Sequence, residues 1–383
     1  MDITKSKKDT REHLINLMTE LIKYPSHLNE PLKTFELANF IKSYFKRDKI
    51  FINEFVVHGL PALVITTENT RHPHILLSGH IDVVPSSNRY TARLDGDYLY
   101  GGGAMDMKGG VACMMAVMKY YSEQKNPPSL GLMLTADEET GGRSASALLN
   151  EENYNADFCI INEGRHSYDL VVREKGLMVV RLNFKTKCIH SAYPWKGKNA
   201  LEDLMKFCLT VKKRFPKPRD AWIPTVSATS INIITGAAMN TIPGEVEATL
   251  CFRLIETKKW SRGNIAAMLK RLAPPEAEIK EILFGNVFSM DTNNSRVKLM
   301  KNVAQEVTKK RIRFGENHGA SDARFFAKKG IPTVVLGPVG KDHHAEEECV
   351  SVSSVETHLE VLRRFIEEES GVFASTTKML AKK

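Results

Sequence analysis

Residues 75–85 read ILLSGHIDVVP, an apolar run that turns polar at its end. A short continuous apolar run of this kind is typical of a strand buried on both faces of a parallel sheet. Similar runs occur at 62–65, 130–134 and 158–161, and a helical pattern covers about 111–121. The first part of the chain is therefore predicted to be an α/β domain with a mixed, largely parallel sheet flanked by helices.

The pattern changes at about Gly176, where the strands begin to alternate between apolar and polar residues. Such alternation is typical of strands with one buried and one solvent-facing side. The elements are expected in the order β-α-β-β-α-β, that of an α+β ferredoxin-like module. Because buried α/β patterns resume after it, we predict a discontinuous α/β domain, 1–175 and 286–383, interrupted by an inserted domain, 176–285.

The composition of the 383 residues excludes some function classes. The 54 Lys+Arg against 45 Asp+Glu give a formal charge of +9, but the basic residues are spread along the chain, so no nucleic-acid partner is expected. No run of about 18 apolar residues occurs, so no membrane span is expected. The six cysteines are far apart and form no C-x-x-C pair, which favours free thiols and a cytoplasmic location.

Polar residues follow the ends of the buried runs. His80 and Asp82 are two apart in extended chain, so the Asp82 carboxylate could hold one nitrogen of His80 and leave the other for a metal. Asp106 lies in the glycine-rich stretch 101–110, where the backbone can approach a site closely in front of a helix. Alternatives remain for both, namely an ordinary surface histidine and a helix cap.

Two further acidic positions and one histidine complete the pattern. Glu138 and Glu139 follow the run 130–134, and adjacent side chains point different ways, so one can bind a metal while the other reaches the water. Glu163 follows the run 158–161, and His344 precedes a run of glutamates. Taken singly, these residues also fit an acidic surface turn, a partner for Arg165 and a charged loop.

Together these residues predict a metal site. Five of them lie beyond strand ends or helix starts, where open α/β sheets assemble their sites: His80, Asp106, Glu139, Glu163 and His344. Mixed imidazole and carboxylate ligands suit two zinc-like divalent ions better than a thiolate site. Three carboxylates and two such ions leave a local charge of about +1, whereas the carboxylates alone would repel one another.

The sequence resembles the di-zinc amidohydrolases and peptidases that include acetylornithine deacetylase, succinyl-diaminopimelate desuccinylase, aminoacylase and glutamate carboxypeptidase. The segments that carry the resemblance span most of the chain in the family's order: 79–85, 101–110, 137–142, Glu163, 190–194, 240–243, Arg253, 319–325 and 344–350. Gly102 and Gly164 depart from the family's usual residues, which leaves the subfamily open. The spacing to 348–350 favours His344 over its neighbour His343 as the family's ligand.

The resemblance implies a role for each matching residue. Asp106 would bridge two metal ions, with one site completed by His80 and Glu163 and the other by Glu139 and His344. Glu138 would be the general base and Asp82 would orient His80. In the inserted domain, implied to be a lid and dimerisation module, His190 would polarise the scissile carbonyl, within one subunit or across a dimer interface. The implied substrate contacts are Asn240, Arg253, Gly319 and Ser321.

The function expected from the sequence is hydrolysis of the amide bond of an N-acyl amino acid by a metal-bridged hydroxide. The cofactor would be two divalent ions, with zinc expected and cobalt or manganese as alternatives. A carboxypeptidase or dipeptidase with the same dimetal centre is the main alternative, and a non-catalytic binding protein on the same fold is the remote one. The expected partners are a small N-acyl amino acid or short peptide and a second copy of the chain.

Overall fold

A computed structural model describes residues 7–46, 48–85 and 90–371. The chain divides into two units: a first unit of Met1–Val172, Ser289–Gly315 and Ser321–Lys383, and a second unit of Arg173–Phe288 and Glu316–Ala320. The two ends of the domain predicted at 1–175 and 286–383 lie outside the described residues. No helix of the described part of the chain is long and apolar enough to cross a membrane.

The helices and strands are as follows. The helices are α1 (Lys7–Ile22), α2 (Pro31–Tyr44), α3 (Gly109–Ser122), α4 (Arg143–Asn150), α5 (Ala200–Lys212), α6 (Arg262–Leu272), α7 (Ser295–Thr308), α8 (Ala323–Lys328) and α9 (Val352–Glu369). The strands are β1 (Phe51–Val57), β2 (Leu60–Thr66), β3 (Ile75–His80), β4 (Arg93–Asp95), β5 (Tyr98–Tyr100), β6 (Leu130–Thr135), β7 (Phe158–Ile161), β8 (Leu170–Glu174), β9 (Gly176–Lys185), β10 (Ile189–His190), β11 (Thr225–Thr235), β12 (Thr241–Ile242), β13 (Glu245–Leu254), β14 (Ala277–Gly285), β15 (Phe288–Ser289), β16 (Phe314–Asn317), β17 (Thr333–Val335), β18 (Gly340–Lys341) and β19 (Cys349–Ser351).

The first unit contains a mixed sheet in which β1, β2, β6, β3, β7 and β17 lie in that order. The four strands from β6 to β17 are parallel, and β1 and β2 are antiparallel at the edge. The predicted α/β fold with a largely parallel sheet is confirmed. Strand β1 was not predicted, because most of its side chains are exposed or half-buried and it therefore carries no apolar run.

Helices pack on this sheet through apolar faces. On α1 the residues spaced i, i+3, i+4, i+7 and i+8 are buried: Leu14, Leu17, Met18, Leu21 and Ile22. Helix α3 is buried over its first ten residues because it packs against α1, α9 and the sheet. Since Asp106 lies just before α3, this packing fixes the start of the helix and with it the position of the carboxylate.

The second unit contains an antiparallel sheet in the order β11-β13-β9-β14, which confirms the ferredoxin-like arrangement. Helices α5 and α6 cover one face, where alternate residues of β9 and β13 such as Val180 and Phe252 are buried. The other face carries no helix of this unit. Residues 316–320, which the sequence analysis placed in the discontinuous domain, belong here, since the Asn317 carbonyl accepts a hydrogen bond from the Lys175 amide at 3.1 Å.

Candidate metal centre

Three neighbouring parallel strands of the first unit carry candidate ligands at their carboxyl ends. His80 is the last residue of β3, Glu139 lies in the helical turn Glu138–Thr140 after β6, and Glu163 comes two residues after β7. Because β6, β3 and β7 are adjacent, their carboxyl ends meet at one edge of the sheet. Sheet topology therefore gathers side chains that are far apart in sequence.

Asp106 lies at the centre of this group. Its Oδ1 is 3.0 Å from His80 Nε2, and its Oδ2 is 3.2 Å from His344 Nε2, which is also 3.0 Å from Glu139 Oε1. Asp106 and His80 are buried, whereas His344 is exposed over 41% of its side chain. Each oxygen of one buried carboxylate thus faces a different imidazole, so the group has one sheltered and one solvent-facing side.

Two overlapping sets of described residues place their ligand atoms within 4.8 Å of one another: His80, Asp106 and Glu139, and Asp106, His343 and His344. Asp106 belongs to both sets. Imidazole nitrogens and carboxylate oxygens at these separations have the chemistry that a zinc-like divalent ion requires. The residues present therefore fit a metal centre that shares one carboxylate.

His343 is a candidate that the sequence analysis did not choose. Its Nε2 contacts Asp106 Oδ2, and its ring centroid lies 3.9 Å from that of His344. His344 has a positive φ of 57°, so the backbone turns sharply between the two rings. The pair of adjacent histidines was visible in the sequence, but spacing alone gave no sign that both rings reach the same carboxylate.

Glu163 is in neither set of possible ligands. Its negative charge raises the pKa of Glu138, so the two carboxylates are near each other. Glu163 is half-buried and its backbone is held tightly, since a Cβ added at Gly337 would lie 2.2 Å from the Glu163 carbonyl oxygen. Its role as a ligand remains a prediction.

Asp82 connects His80 to the glutamate turn. The Asp82 backbone carbonyl lies 2.9 Å from His80 Nδ1, and its Oδ1 lies 3.4 Å from the same nitrogen. The carboxylate also accepts hydrogen bonds from the backbone amides of Glu138, at 3.2 Å, and Glu139, at 3.0 Å. One buried side chain therefore sets the orientation of the imidazole and of the two glutamates.

The imidazoles and the shared carboxylate shift one another's pKa. Burial acts to lower the pKa of His80, but Asp106 and Asp82 raise it well above its ordinary value. Hydrogen bonds with Asp106 and then Glu139 raise the pKa of His344 to about 10. Burial opposes ionisation of Asp106, yet the three histidines hold its pKa well below the usual range. A divalent cation would ligate these same nitrogens, so metal and protons compete for this site.

Glu138 has a different environment from its neighbour. Burial raises its pKa well above the ordinary value against the charge of His80, and the Asp322 and Glu163 carboxylates add to the rise. Asp322 is itself buried, and burial raises its pKa to about 7. Arg324 opposes both shifts and donates to the Gly141 carbonyl at 3.0 Å. A carboxyl whose pKa is raised in this way is suited to accept and return a proton.

Glu348 holds the loop that carries Asp106. Its carboxylate accepts hydrogen bonds of 3.0 Å from the backbone amides of Gly103, Met105 and Asp106, and the next peptide bond, between Asp106 and Met107, is cis. The sequence analysis took the acidic run that contains Glu348 as a charged loop, but this side chain is buried. An acidic side chain in a loop gives no sequence signal that it points inward.

A second buried network leads to the loop of Glu163. His358 on α9 lies 2.9 Å from Asn162 Oδ1 through Nε2 and 2.8 Å from the Tyr168 hydroxyl through Nδ1. Burial lowers the pKa of His358 to about 3. The ring is therefore neutral, and it donates to Asn162 while it accepts from Tyr168. The helical spacing of His358 among apolar residues gave no indication of this role.

The second unit contains most of the remaining predicted residues. His190 pairs with Thr241 in the β10–β12 ladder, and the Ser191 amide donates to the Asn240 carbonyl at 2.8 Å, so His190 and Asn240 are neighbours. Arg253 lies on β13. Gly319 also belongs to this unit, whereas Ser321 belongs to the first, and its Oγ accepts from the Ala323 amide at 3.2 Å.

The fold and this group of imidazoles and carboxylates define a metal-binding α/β protein. The chain belongs to peptidase family M20/M25/M40, since the model of that family matches residues 76–368, more than half of its length. It is therefore a hydrolase that acts on amide or peptide bonds, and the resemblance stated from the motifs is confirmed.

Three relatives illustrate the match. The succinyl-diaminopimelate desuccinylase of Pelagibacter ubique (strain HTCC1062) is 26% identical over 367 residues, which cover 89% of this chain and 94% of the relative. The enzyme with that name from Gluconobacter oxydans (strain 621H) is 28% identical over 314 residues, or 77% and 81% of the two chains. The crystal structure of an M20 family metallo-carboxypeptidase from Sulfolobus solfataricus superposes with a TM-score of 0.79 over 93% of this chain and 99% of that chain. At 19% identity, that last comparison supports the fold alone.

Proposed function

We propose that this chain hydrolyses the amide bond of an N-acylated amino acid with the help of two divalent ions. The proposed ligands are His80, Asp106, Glu139, Glu163 and His344. The observation that carries this proposal is the shared Asp106 carboxylate, with His80 at one oxygen and His344 at the other. Zinc suits these donors, and cobalt and manganese are the alternatives to test.

Bound ions of this kind lower the pKa of a water molecule and polarise a substrate carbonyl. Glu138 is the proposed general base, which accepts a proton from the attacking water and returns it to the leaving amine. Burial and the neighbouring carboxylates raise the pKa of Glu138, which suits a group that must both accept and return a proton. Asp82 orients Glu138 through the backbone of the turn and orients His80 through Nδ1.

The second unit is proposed to supply the substrate contacts and to act as a lid. Arg253 would pair with the substrate carboxylate, because a guanidinium offers two parallel N–H donors to a planar acceptor. His190 would polarise the scissile carbonyl beside its neighbour Asn240. Gly319 and Ser321 would bind the substrate through a backbone amide and a hydroxyl.

Both curated relatives described above are succinyl-diaminopimelate desuccinylases, and the matches span most of each chain. An N-succinyl amino acid is therefore the first substrate to test, followed by N-acetyl amino acids. The match to a peptidase family supports one second candidate, cleavage of a dipeptide or a C-terminal peptide bond with the same residues.

The test is a hydrolysis panel of N-succinyl and N-acetyl amino acids and dipeptides, run with zinc, cobalt and manganese. Glu138→Ala should lower kcat by about 10²–10⁴-fold on the preferred substrate, while metal content measured by mass spectrometry stays unchanged. Glu278→Ala, which removes an exposed glutamate on β14, serves as the matched control. Unchanged turnover of Glu138→Ala would rule out its role as the base, and preferred cleavage of dipeptides would favour the second candidate.

We also propose that the second unit forms a homodimer interface. Strand β11 is at the edge of its sheet, and Ile231, Ile233 and Ile234 are each about half exposed along it. An exposed apolar edge strand pairs readily with another strand. Ile231→Lys should convert a dimer to a monomer in light scattering, and a wild-type chain that is already monomeric would contradict the proposal.

The six cysteines are free, which suits the proposed reducing cytoplasm.

A further inference from the structure

The glutamate turn, residues 138–142, lies directly against the segment that begins α8. Gly142 has a φ of 66°, and a Cβ added there would overlap Asp322 Oδ1, so only a glycine lets the two segments approach this closely. The Asp322 side chain is buried, and its Oδ2 accepts a hydrogen bond from the Thr135 hydroxyl at 3.4 Å. The turn that carries Glu138 is therefore packed against a segment far away in sequence.

Arg324 joins this turn to the loop before α8. One terminal nitrogen of its guanidinium donates to the Gly141 carbonyl at 3.0 Å, and the other donates to the Ser321 carbonyl at 2.7 Å. The residue is only 5% exposed, and its guanidinium lies 4.5 Å from the centre of the Phe325 ring. Both hydrogen bonds therefore form inside the protein, where water does not compete for the carbonyls.

These partners are unusual for a buried arginine. A buried guanidinium is normally paired with a carboxylate, yet within the described residues no carboxylate oxygen lies within 4.0 Å of Arg324. Its charge lowers the pKa of Asp322 and of Glu138, so both carboxyl groups are near, but its N–H groups are directed at backbone carbonyls. A carbonyl does not neutralise a charge, so these contacts act mainly to fix two segments of backbone.

Both carbonyls belong to segments that carry proposed functional residues. Gly141 lies in the turn of Glu138, the proposed general base, and Ser321 is itself a proposed substrate contact. The chain enters the first unit between Ala320 and Ser321, so the residues just before Ser321 belong to the other unit. The contact with Arg324 therefore ties Ser321 to the turn that carries the base.

We propose that Arg324 is a positioning residue for hydrolysis, whose two hydrogen bonds set the distance between Glu138 and a substrate held at Ser321. This proposal rests on the function proposed above, and it gives Arg324 no contact with the substrate or with metal ions. A base must lie within hydrogen-bond reach of the proton that it accepts, and a displacement of about 1 Å can cost about 10²-fold in rate. Loss of the two hydrogen bonds should therefore lower kcat, while the other proposed contacts still bind the substrate.

The test compares wild type with Arg324→Ala and Arg324→Lys in the full-length, metal-loaded protein. Lysine keeps a positive charge near Asp322, but a single ammonium lacks the planar fork of a guanidinium that serves two carbonyls at once. Arg324→Lys therefore separates the charge from the two-point link. Arg143→Ala is the matched control, because Arg143 also follows the glutamate turn, at the first position of α4, but is exposed.

Four quantities are measured for each variant: kcat and KM on the preferred substrate, metal content by mass spectrometry, and hydrogen exchange of the amides in segment 137–144. Hydrogen exchange reports local opening of the turn and does not depend on turnover. Chemical rescue is a further measurement, since free guanidinium can enter the space left in Arg324→Ala and donate to the same carbonyls.

Arg324→Ala should lower kcat about 10²-fold and change KM much less, with full metal content and faster hydrogen exchange at 137–144. Millimolar guanidinium should restore part of this kcat and none of the kcat of Glu138→Ala. Arg324→Lys should lose about tenfold in kcat although its stability to urea stays close to that of wild type. Arg143→Ala should resemble wild type in every measurement.

Two results would overturn the proposal. Wild-type kcat in Arg324→Lys would show that a charge at this position is sufficient, and this variant decides the matter if Arg324→Ala does not fold. A reduced kcat in Arg324→Ala with unchanged hydrogen exchange at 137–144 would show that the loss does not act through the turn.

Hydrogen exchange separates this proposal from the function on which it rests. Hydrolysis of none of the amides by wild type, together with faster exchange at 137–144 in both Arg324 variants, would remove the proposed reaction and leave the link between the turn and Ser321 standing. Hydrolysis by wild type, with equal kcat and equal exchange in both variants, would do the reverse.

Discussion

The two units place their functional side chains in different ways. In the first unit the central strands are parallel and buried, and the side chains of the candidate site gather at their carboxyl ends. In the second unit the sheet is antiparallel, α5 and α6 cover one face, and the candidate substrate residue Arg253 lies on the other. A buried parallel sheet has only its ends available for a site, whereas a half-covered antiparallel sheet offers a whole face.

The candidate side chains of the two regions also differ in their contacts with other residues of the chain. His80 and Asp106 are buried and contact each other directly, and Asp82 and Glu348 hold them from behind. In the second unit His190 is exposed and has local contacts, such as the Ala192 amide that donates to its Nδ1. The first region is therefore preorganised by its own contacts, while the second has groups left over for a ligand or a partner subunit.

The largest effect is expected at the shared carboxylate. Asp106→Asn should lower kcat by about 10³-fold or more and reduce the bound metal. The neutral amide of asparagine cannot replace the charged carboxylate whose two oxygens face His80 and His344. Metal content by mass spectrometry and kcat on the preferred substrate check this. Asp95→Asn, at an exposed aspartate, is the control. Full metal occupancy in active Asp106→Asn would refute the central place of this residue.

The next largest loss of activity is expected at Glu348, whose carboxylate holds the loop that carries Asp106. Glu348→Gln places an amide group against three backbone N–H donors and removes the charge that they stabilise, so the loop of Asp106 should loosen. Loss of such an outer contact typically costs about 10–100-fold in metal affinity or activity. A titration with zinc and a measurement of kcat would detect it. Glu347→Gln, at the adjacent exposed position, should behave like wild type.

A smaller effect, on stability, is expected at His358. His358→Leu removes the hydrogen-bond partner of the Tyr168 hydroxyl and of Asn162 Oδ1, which should lower the free energy of unfolding by about 2 kcal/mol near neutral pH. Urea unfolding measures the difference, with His27→Leu as the control at a histidine whose Nδ1 has no hydrogen-bond partner in the described residues. An unchanged midpoint would contradict the network.

The same histidine predicts a dependence on pH. The pKa of folded His358 is about 3, below the ordinary value of 6.5, so the unfolded chain takes up a proton that the folded chain excludes. This contribution is fully present above about pH 6.5 and is lost as pH falls toward about 3, at up to about 1.4 kcal/mol per pH unit. The gap between wild type and His358→Leu should therefore narrow from about pH 7 to about pH 5.

The smallest effect is expected in the second unit. Asn199 caps α5, with its Oδ1 accepting from the amides of Leu201 at 3.1 Å and Glu202 at 3.3 Å. Asn199→Ala should lower stability by about 1 kcal/mol, and kcat should stay unchanged because the cap touches no proposed substrate contact. A loss of kcat comparable to that of Glu348→Gln would show that α5 is coupled to the chemistry.

Much of the fold was predictable from the sequence. The apolar runs that become β6 and β7 and the alternating strands β9 and β13 were recognised because each pattern is local and repeats with the period of its element. The elements that were missed, β1 and α4 among them, have mixed burial or are short, so their patterns resemble loops.

For the candidate site, the sequence motifs predicted the candidate ligands. Asp106, Glu139 and His344 were named from motifs, and the structure brings them together around one carboxylate. Of the residues that support them, Asp82 was named from the sequence, but Glu348 and His358 were not. Glu348 and His358 contact residues 190 or more positions away in sequence, and nothing in their neighbouring residues indicates such a partner.

The sequence by itself determined many of the elements and which side chains are candidates for metal-binding and acid–base chemistry, because periodicity and residue type are local properties of a chain. Tertiary structure alone decided that both His343 and His344 reach Asp106 and that Glu348 turns inward. These facts depend on distances between residues far apart in the sequence, which packing fixes and no local pattern records.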